Sequence, residues 1–307
     1  MERTALATGT FDAMGSSGRV LAPSGDLPAA LATVQALFHK WDAELSRFRP
    51  DSGVSRLNQT AGSPTVVSRL VFRVLQEALA ASAETDGAFD PTLGQRLVDL
   101  GFDRPFAELP RLQPPASLPP YRGGHWRDVR MDASTLTVTL PAGVAVDLGG
   151  IAKSMALDAA VEQLQRQGLT CALVEAGGDV AVLGRPPGQN SWPVRVDGGW
   201  SLGAVSLCEG ALATSGSGRR TWQQGRQRRH DILDPVTGEP AQHGLIQVTV
   251  AAPHAGAGAV AAKVALIRGI PQGLEFLEDR GWPGLWLEDT GGVGVSSRWP
   301  WPIGATS

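Results

Sequence analysis

The chain has 307 residues, 42% of them hydrophobic and 19% charged, with a formal net charge of −3. That balance builds a globular core and excludes a disordered chain, and a charge so near zero gives no field of the kind that nucleic acid or an anionic membrane attracts. Two cysteines, Cys171 and Cys208, are too few for a disulfide framework or a thiolate metal cluster, which points to a reducing, cytoplasmic setting.

No stretch approaches the roughly 20 apolar residues of a membrane span, and Met1 to Thr10 lacks the apolar run of a secretory signal. The length suits one large domain over residues 1–307, or two intertwined subdomains.

Leu27, Leu31, Val34, Phe38, Trp41 and Leu45 follow the three-to-four spacing of an amphipathic helix. The same spacing recurs from Ser68 to Ala83, with Ser68 placed as N-cap. A proline-rich segment within residues 104–124 reads as an irregular surface excursion or a subdomain boundary. Val129 to Met131 and Leu136 to Leu140 flank a turn and predict a hairpin. A helix is expected from about Ile151 to Gln167, ended by Gly168.

Strands are expected at Cys171 to Glu175 and Val180 to Leu183, around a Gly177-Gly178 turn. Further strands are expected at Val194 to Val196, Leu202 to Leu207, Ile246 to Ala251 and Leu285 to Leu287, with a helix from about Gly258 to Ile267. Mixed elements without regular alternation predict an α+β fold.

Glycine, hydroxyl and acidic residues gather where the apolar pattern breaks. Val146-Asp147-Leu148-Gly149-Gly150-Ile151-Ala152-Lys153 sets two glycines and a lysine at the start of a helix, with Asp158 further along it. Free N–H groups, close backbone approach and an ammonium suit a phosphate, and a solvated lysine after a plain glycine turn is the alternative. The other clusters are Phe11 to Ser16, Ser46 to Asn58, Asp86 to Thr92, Thr214-Ser215-Gly216 and His230 to Gly238.

In order, Met14-Gly15, Asp51-Ser52-x-x-Ser55-Arg56-Leu57-Asn58, Gly87-Ala88-Phe89-Asp90-Pro91-Thr92, Asp147-Leu148-Gly149-Gly150-Ile151-Ala152-Lys153, Gly177-Gly178-Asp179, Thr214-Ser215-Gly216 and Asp234-Pro235-x-Thr237-Gly238-x-Pro240 resemble the FAD:protein FMN transferase family. The resemblance runs from Phe11 to Gly269. It implies a T-fold-related α+β architecture with FAD in a cleft between two parts. It also implies transfer of the FMN half of FAD to a Ser or Thr hydroxyl of an acceptor protein, with AMP leaving. The acceptor would carry a Ser/Thr-Gly-Ala-Thr-like motif; Gly304-Ala305-Thr306-Ser307 looks like part of one.

By the same resemblance, FAD contacts fall on Met14, Phe48, Ala88, Phe89, Asp90, Asp147, Lys153, Thr214, Ser215 and Leu233, and a backbone magnesium ligand on Gly150. Core packing is the alternative for Phe89 and Leu233. Relatives carry tyrosine where Phe48 stands. They carry a histidine where Asp231 stands, which leaves Asp231 or its neighbour His230 as the base. Their magnesium-binding aspartate and threonine correspond to Ala259 and Lys263, so the usual side-chain ligands are absent and Lys263 is expected to supply the missing charge. Two other readings use the same site: an FAD-binding protein without transferase activity, and an FAD pyrophosphatase giving FMN and AMP.

Overall fold

The computed structural model describes residues 5–197 and 201–299. The chain divides into two compact units. The first comprises Met1–His39, Lys153–Ser215 and Gly244–Ser307; the second comprises Lys40–Ala152 and Gly216–His243. The fold is α+β, as the irregular order of elements predicts.

The first unit is built on an eight-stranded sheet. Its spatial order is Leu6–Ala13, Ser16–Pro23, Ala172–Ala176, Asp179–Leu183, Gly210–Gly216, Leu245–Ala252, Gly284–Glu288 and Val293–Val295. The first five strands pair antiparallel in succession. Alternation sorts their side chains to two faces. Cys171, Leu173, Val180, Val182, Leu212, Leu285 and Leu287 join Trp192, Val194, Val196, Val205 and Leu207 of the hairpin Trp192–Asp197/Ser201–Leu207 in one apolar cluster.

Two helices show how the rest of this unit packs. Helix Leu27–Leu45 brings Phe38 to 5.0 Å from Phe11, ring centre to ring centre. Helix Ala255–Arg268 is buried almost all round, well beyond a single stripe of Val260, Val264 and Ile267. Its small residues allow this: a Cβ at Gly258 would lie 3.2 Å from the methyl carbons of Ala213 and Ala252.

The second unit has a separate core. Leu93, Leu97, Leu100, Phe102, Leu109, Trp222 and Leu233 cluster, with Phe48, Phe106 and Tyr121 packed against them. Ser68 caps helix Arg69–Glu84 by accepting from the Val71 N–H, as expected. The predicted hairpin is present as Arg130–Asp132 paired with Thr137–Thr139. The proline-rich segment lies inside this unit. Leu112–Gln113 pairs parallel with Thr221–Gln224, and the Tyr121 hydroxyl donates to the Pro235 carbonyl at 2.7 Å. Among the described residues, no helix is long and apolar enough to cross a membrane.

Candidate functional site

In the first unit, Lys153 lies in the first turn of helix Ala152–Arg166. Its ammonium donates to the Ala176 carbonyl and to Asp179 Oδ2, each at 2.7 Å. The Ser154 hydroxyl donates to the same carboxylate oxygen at 2.7 Å, and the Thr214 N–H donates to Asp179 Oδ1 at 2.8 Å. Thr214 Oγ1 is 3.0 Å from Thr249 Oγ1. Asp179 is 4% exposed, so its charge depends on these partners rather than on water.

Two turns flank this cluster. Met14 and Gly15 form a two-residue hairpin turn with φ of 43° and 77°, and methionine is an unusual occupant of the left-handed region. Gly177 opens the other turn at φ 58° and donates its N–H to the Ser17 carbonyl at 3.1 Å. A Cβ there would meet Ser16 Oγ at 2.8 Å and Lys153 Nζ at 3.3 Å, so glycine keeps the flank of the ammonium clear. Of the sequence candidates, Lys153 and Thr214 are thus joined through Asp179 by the unit's own strands and helix, and Met14 lies two residues before Ser16 in the hairpin whose Ser17 carbonyl accepts from Gly177. Ser215 follows, half-buried, in strand Gly210–Gly216.

In the second unit, Asp147 and Phe48 are joined through Arg47. Arg47 Nε donates to Asp147 Oδ2 at 2.5 Å, and the guanidinium carbon lies 4.1 Å from the centre of the Phe48 ring and 4.8 Å from that of Phe102. The Ser46 to Asn58 segment assembles this arrangement. Ser52 caps helix Gly53–Gln59 through the Ser55 N–H, and Ser55 Oγ donates to the Arg47 carbonyl at 3.2 Å. Asn58 pairs with the Val146 backbone in both directions, at 2.9 and 2.8 Å, next to Asp147. Asp147 also accepts the Gly149 N–H at 2.6 Å, in the turn that holds Gly150.

Other candidates in this unit have structural partners. Asp90 Oδ1 accepts from the Thr92 N–H at 2.7 Å and from the Thr92 hydroxyl at 2.6 Å. Burial pushes its carboxyl above the usual carboxylate range. Ala88 is half-buried, whereas Phe89 and Leu233 are core residues at 4% exposure. His230 is 7% exposed. Its Nδ1 accepts the Ile232 N–H at 3.3 Å and its Nε2 lies 3.1 Å from the Ala241 carbonyl, so both ring nitrogens are engaged in the neutral form. Burial lowers its pKa. Asp231 pairs instead with Arg220, Oδ2 to Nη1 at 3.2 Å.

The positions compared with magnesium ligands do not suit that ion. Helix Ala255–Arg268 contains no acidic residue, Ala259 is a buried methyl, and Lys263 brings a half-buried ammonium. Among the described residues, no group of three or more His, Cys, Asp or Glu side chains could hold a metal ion.

Three residues important to these clusters were not among the sequence candidates. Arg47 and Asp179 hydrogen-bond to residues that were, Asp147 and Lys153 respectively. Asp158 accepts the Ala255 and Gly256 N–H groups at 2.7 and 2.9 Å, supplying the anionic cap of helix Ala255–Arg268 from another element. Each lay within or beside a recognised motif, but only the tertiary pairing gives it a role.

The model of the ApbE family matches residues 14–285. The FAD:protein FMN transferase of Treponema pallidum (strain Nichols) is 33% identical over 251 residues, covering 75% of this chain and 69% of that protein. The crystal structure of the ApbE protein from Thermotoga maritima superposes with a TM-score of 0.86 at 27% identity, covering 95% of this chain and 97% of its own. The apo flavinyl transferase ApbE of Pseudomonas stutzeri shares the fold, with a TM-score of 0.82 at 24% identity over 96% of this chain and 95% of its own.

Proposed function

The chain belongs to the ApbE family, and on that premise we propose that it transfers the FMN half of FAD to a Ser or Thr hydroxyl of an acceptor protein. The acceptor oxygen forms a bond to the FMN-side phosphorus, the bond to the AMP-side oxygen breaks, and the hydroxyl proton passes to a base. The observation that carries the reading is the half-buried, tethered ammonium of Lys153, with a clear flank at Gly177. An ammonium held in this way neutralises pyrophosphate charge without reorganising during the reaction.

Thr214 and Ser215 provide hydroxyl groups for the phosphates. Met14, Phe48 and Asp147 are the proposed contacts to the flavin nucleotide, and Ala88 a further backbone contact. For Phe89, Asp90 and Leu233 the burial and internal hydrogen bonds support positioning of the surrounding backbone more than direct contact. Asp231 is the better proposed base. His230 has both nitrogens engaged and a lowered pKa, whereas Asp231 is partly exposed and held by one arginine.

Lys263 takes the place of the magnesium-binding side chains. One fixed positive charge from helix Ala255–Arg268 offsets part of the phosphate charge and needs no acidic ligand. Gly150 retains only its backbone carbonyl as a metal donor, too little for a site of its own. The acceptor is proposed to present a Ser/Thr-Gly-Ala-Thr-like segment. The similar residues Gly304 to Ser307 of this chain lie outside the described residues. A reducing, cytoplasmic setting remains the reading of the two unpaired cysteines, Cys171 buried and Cys208 exposed.

Product analysis tests the reading. Incubation with FAD and a peptide carrying the acceptor motif should yield AMP and a peptide heavier by one FMN. Free FMN with AMP and no adduct would instead identify a pyrophosphatase, and intact FAD a binding protein.

A further inference from the structure

We propose that Asp179 is a positioning residue that sets the direction of the Lys153 ammonium toward the phosphates; the inference rests on the proposed role of Lys153 in holding FAD. Asp179 begins strand Asp179–Leu183, directly after the Gly177-Gly178 turn. Its carboxylate collects three donors from two parts of the unit: the Lys153 ammonium, the Ser154 hydroxyl and the Thr214 N–H. Two of these come from the start of helix Ala152–Arg166 and the third from strand Gly210–Gly216. One side chain therefore locks the helix start against the strand that carries the proposed phosphate-binding hydroxyls.

The lysine side of the contact is equally constrained. An ammonium has three N–H donors. One goes to Asp179 and one to the Ala176 carbonyl, both at 2.7 Å. Tetrahedral geometry then confines the third to a single direction. The Lys153 side chain is 15% exposed and that of Asp179 is 6% exposed, so water screens the pair weakly. A long, flexible side chain that would otherwise sample several rotamers is thereby held in one before the ligand arrives, which lowers the ordering cost of binding.

Asp179→Asn keeps the volume but replaces one acceptor by an amide donor facing the lysine and serine donors. FAD affinity, read by quenching of flavin fluorescence, should then fall about tenfold or more. A double-mutant cycle separates positioning from mere structural support. In a Lys153→Met background, the Asp179→Asn change should cost less than threefold in affinity, because the ammonium it orients is gone. Asp179→Glu in the wild-type background should recover part of the loss. Val182→Ala, in the apolar cluster of the same strand, serves as a control that lowers the melting temperature without changing FAD affinity. Equal losses for Asp179→Asn with and without Lys153 would overturn the proposal, as would unchanged affinity in Asp179→Asn. Wild-type protein that fails to bind FAD at all would instead remove the reading of the Lys153 site itself.

Discussion

Arg47 donates to Asp147 across 100 residues of sequence, and the two side chains are 8% and 17% exposed. The guanidinium also lies against the Phe48 and Phe102 rings, so the same residue sets both a carboxylate and an aromatic face proposed to meet the flavin nucleotide. Removing one member of such a pair leaves a poorly solvated charge, at a cost of about 3–5 kcal/mol for a fully buried case and less here. Arg47→Ala is expected to lower the denaturation midpoint and weaken FAD binding together. Arg47→Lys should recover little of either, since lysine lacks the planar group that stacks and donates. Denaturant titration and flavin fluorescence on both variants check this; wild-type affinity in Arg47→Ala would remove Asp147 orientation from the account.

Asp158 is expected to act on stability alone. It satisfies two N–H groups at the start of helix Ala255–Arg268, where anionic caps contribute about 1–2 kcal/mol. Asp158→Ala should lower unfolding free energy by that amount in a denaturant melt while FAD affinity stays within twofold. A tenfold loss of affinity at normal stability would mean that Asp158 contacts the ligand.

Asp231 and His230 should separate cleanly. Asp231→Asn is predicted to slow transfer by roughly a hundredfold with little change in FAD affinity, the scale of losing a general base. His230→Gln should leave the rate within a few-fold but alter the pH dependence of stability. Burial depresses the folded pKa of His230 below its ordinary value of 6.5, so the unfolded chain takes up the proton first. The stability due to the neutral ring is thus complete above about pH 6.5 and is lost as pH falls below it toward the folded pKa. Melting curves between neutral and mildly acidic pH should show a shallower decline in His230→Gln than in wild type; parallel curves would contradict the assignment.

Lys263 carries the prediction about magnesium. FAD binding by the wild-type protein should change little on adding a chelator. Lys263→Ala should weaken binding, more strongly at low salt, because the interaction is between partly screened charges. Complete dependence on magnesium, with normal binding in Lys263→Ala, would contradict the substitution of a lysine for the metal.

Periodicity made some of this protein legible from sequence. Helix Leu27–Leu45 and the Ser68 cap follow directly from local spacing. Strands Leu6–Ala13 and Ser16–Pro23 were not expected, because Gly9, Gly18 and several exposed polar residues blur their alternation. Gly18 itself leaves space for the Phe11 ring, a cross-strand relation that no single-strand pattern reveals. Motif order brought Lys153, Thr214 and Met14 into one candidate set. The carboxylate of Asp179 and the guanidinium of Arg47 became visible only when folding joined residues 26 and 100 positions away, at Lys153 and Asp147 respectively. Short strands such as Leu112–Gln113, inside a proline-rich stretch, depend on pairing with Thr221–Gln224 rather than on their own composition.

Covalent transfer of FMN is the activity expected of this protein. Its most direct test is intact-mass analysis of a peptide bearing a Ser-Gly-Ala-Thr segment after incubation with the protein and FAD, with AMP measured in the same reaction. The peptide should gain one FMN per released AMP, and the gain should be abolished when the hydroxyl residues of the peptide are replaced by alanine. FAD binding confirmed by fluorescence, with an unmodified peptide and no AMP, would contradict it.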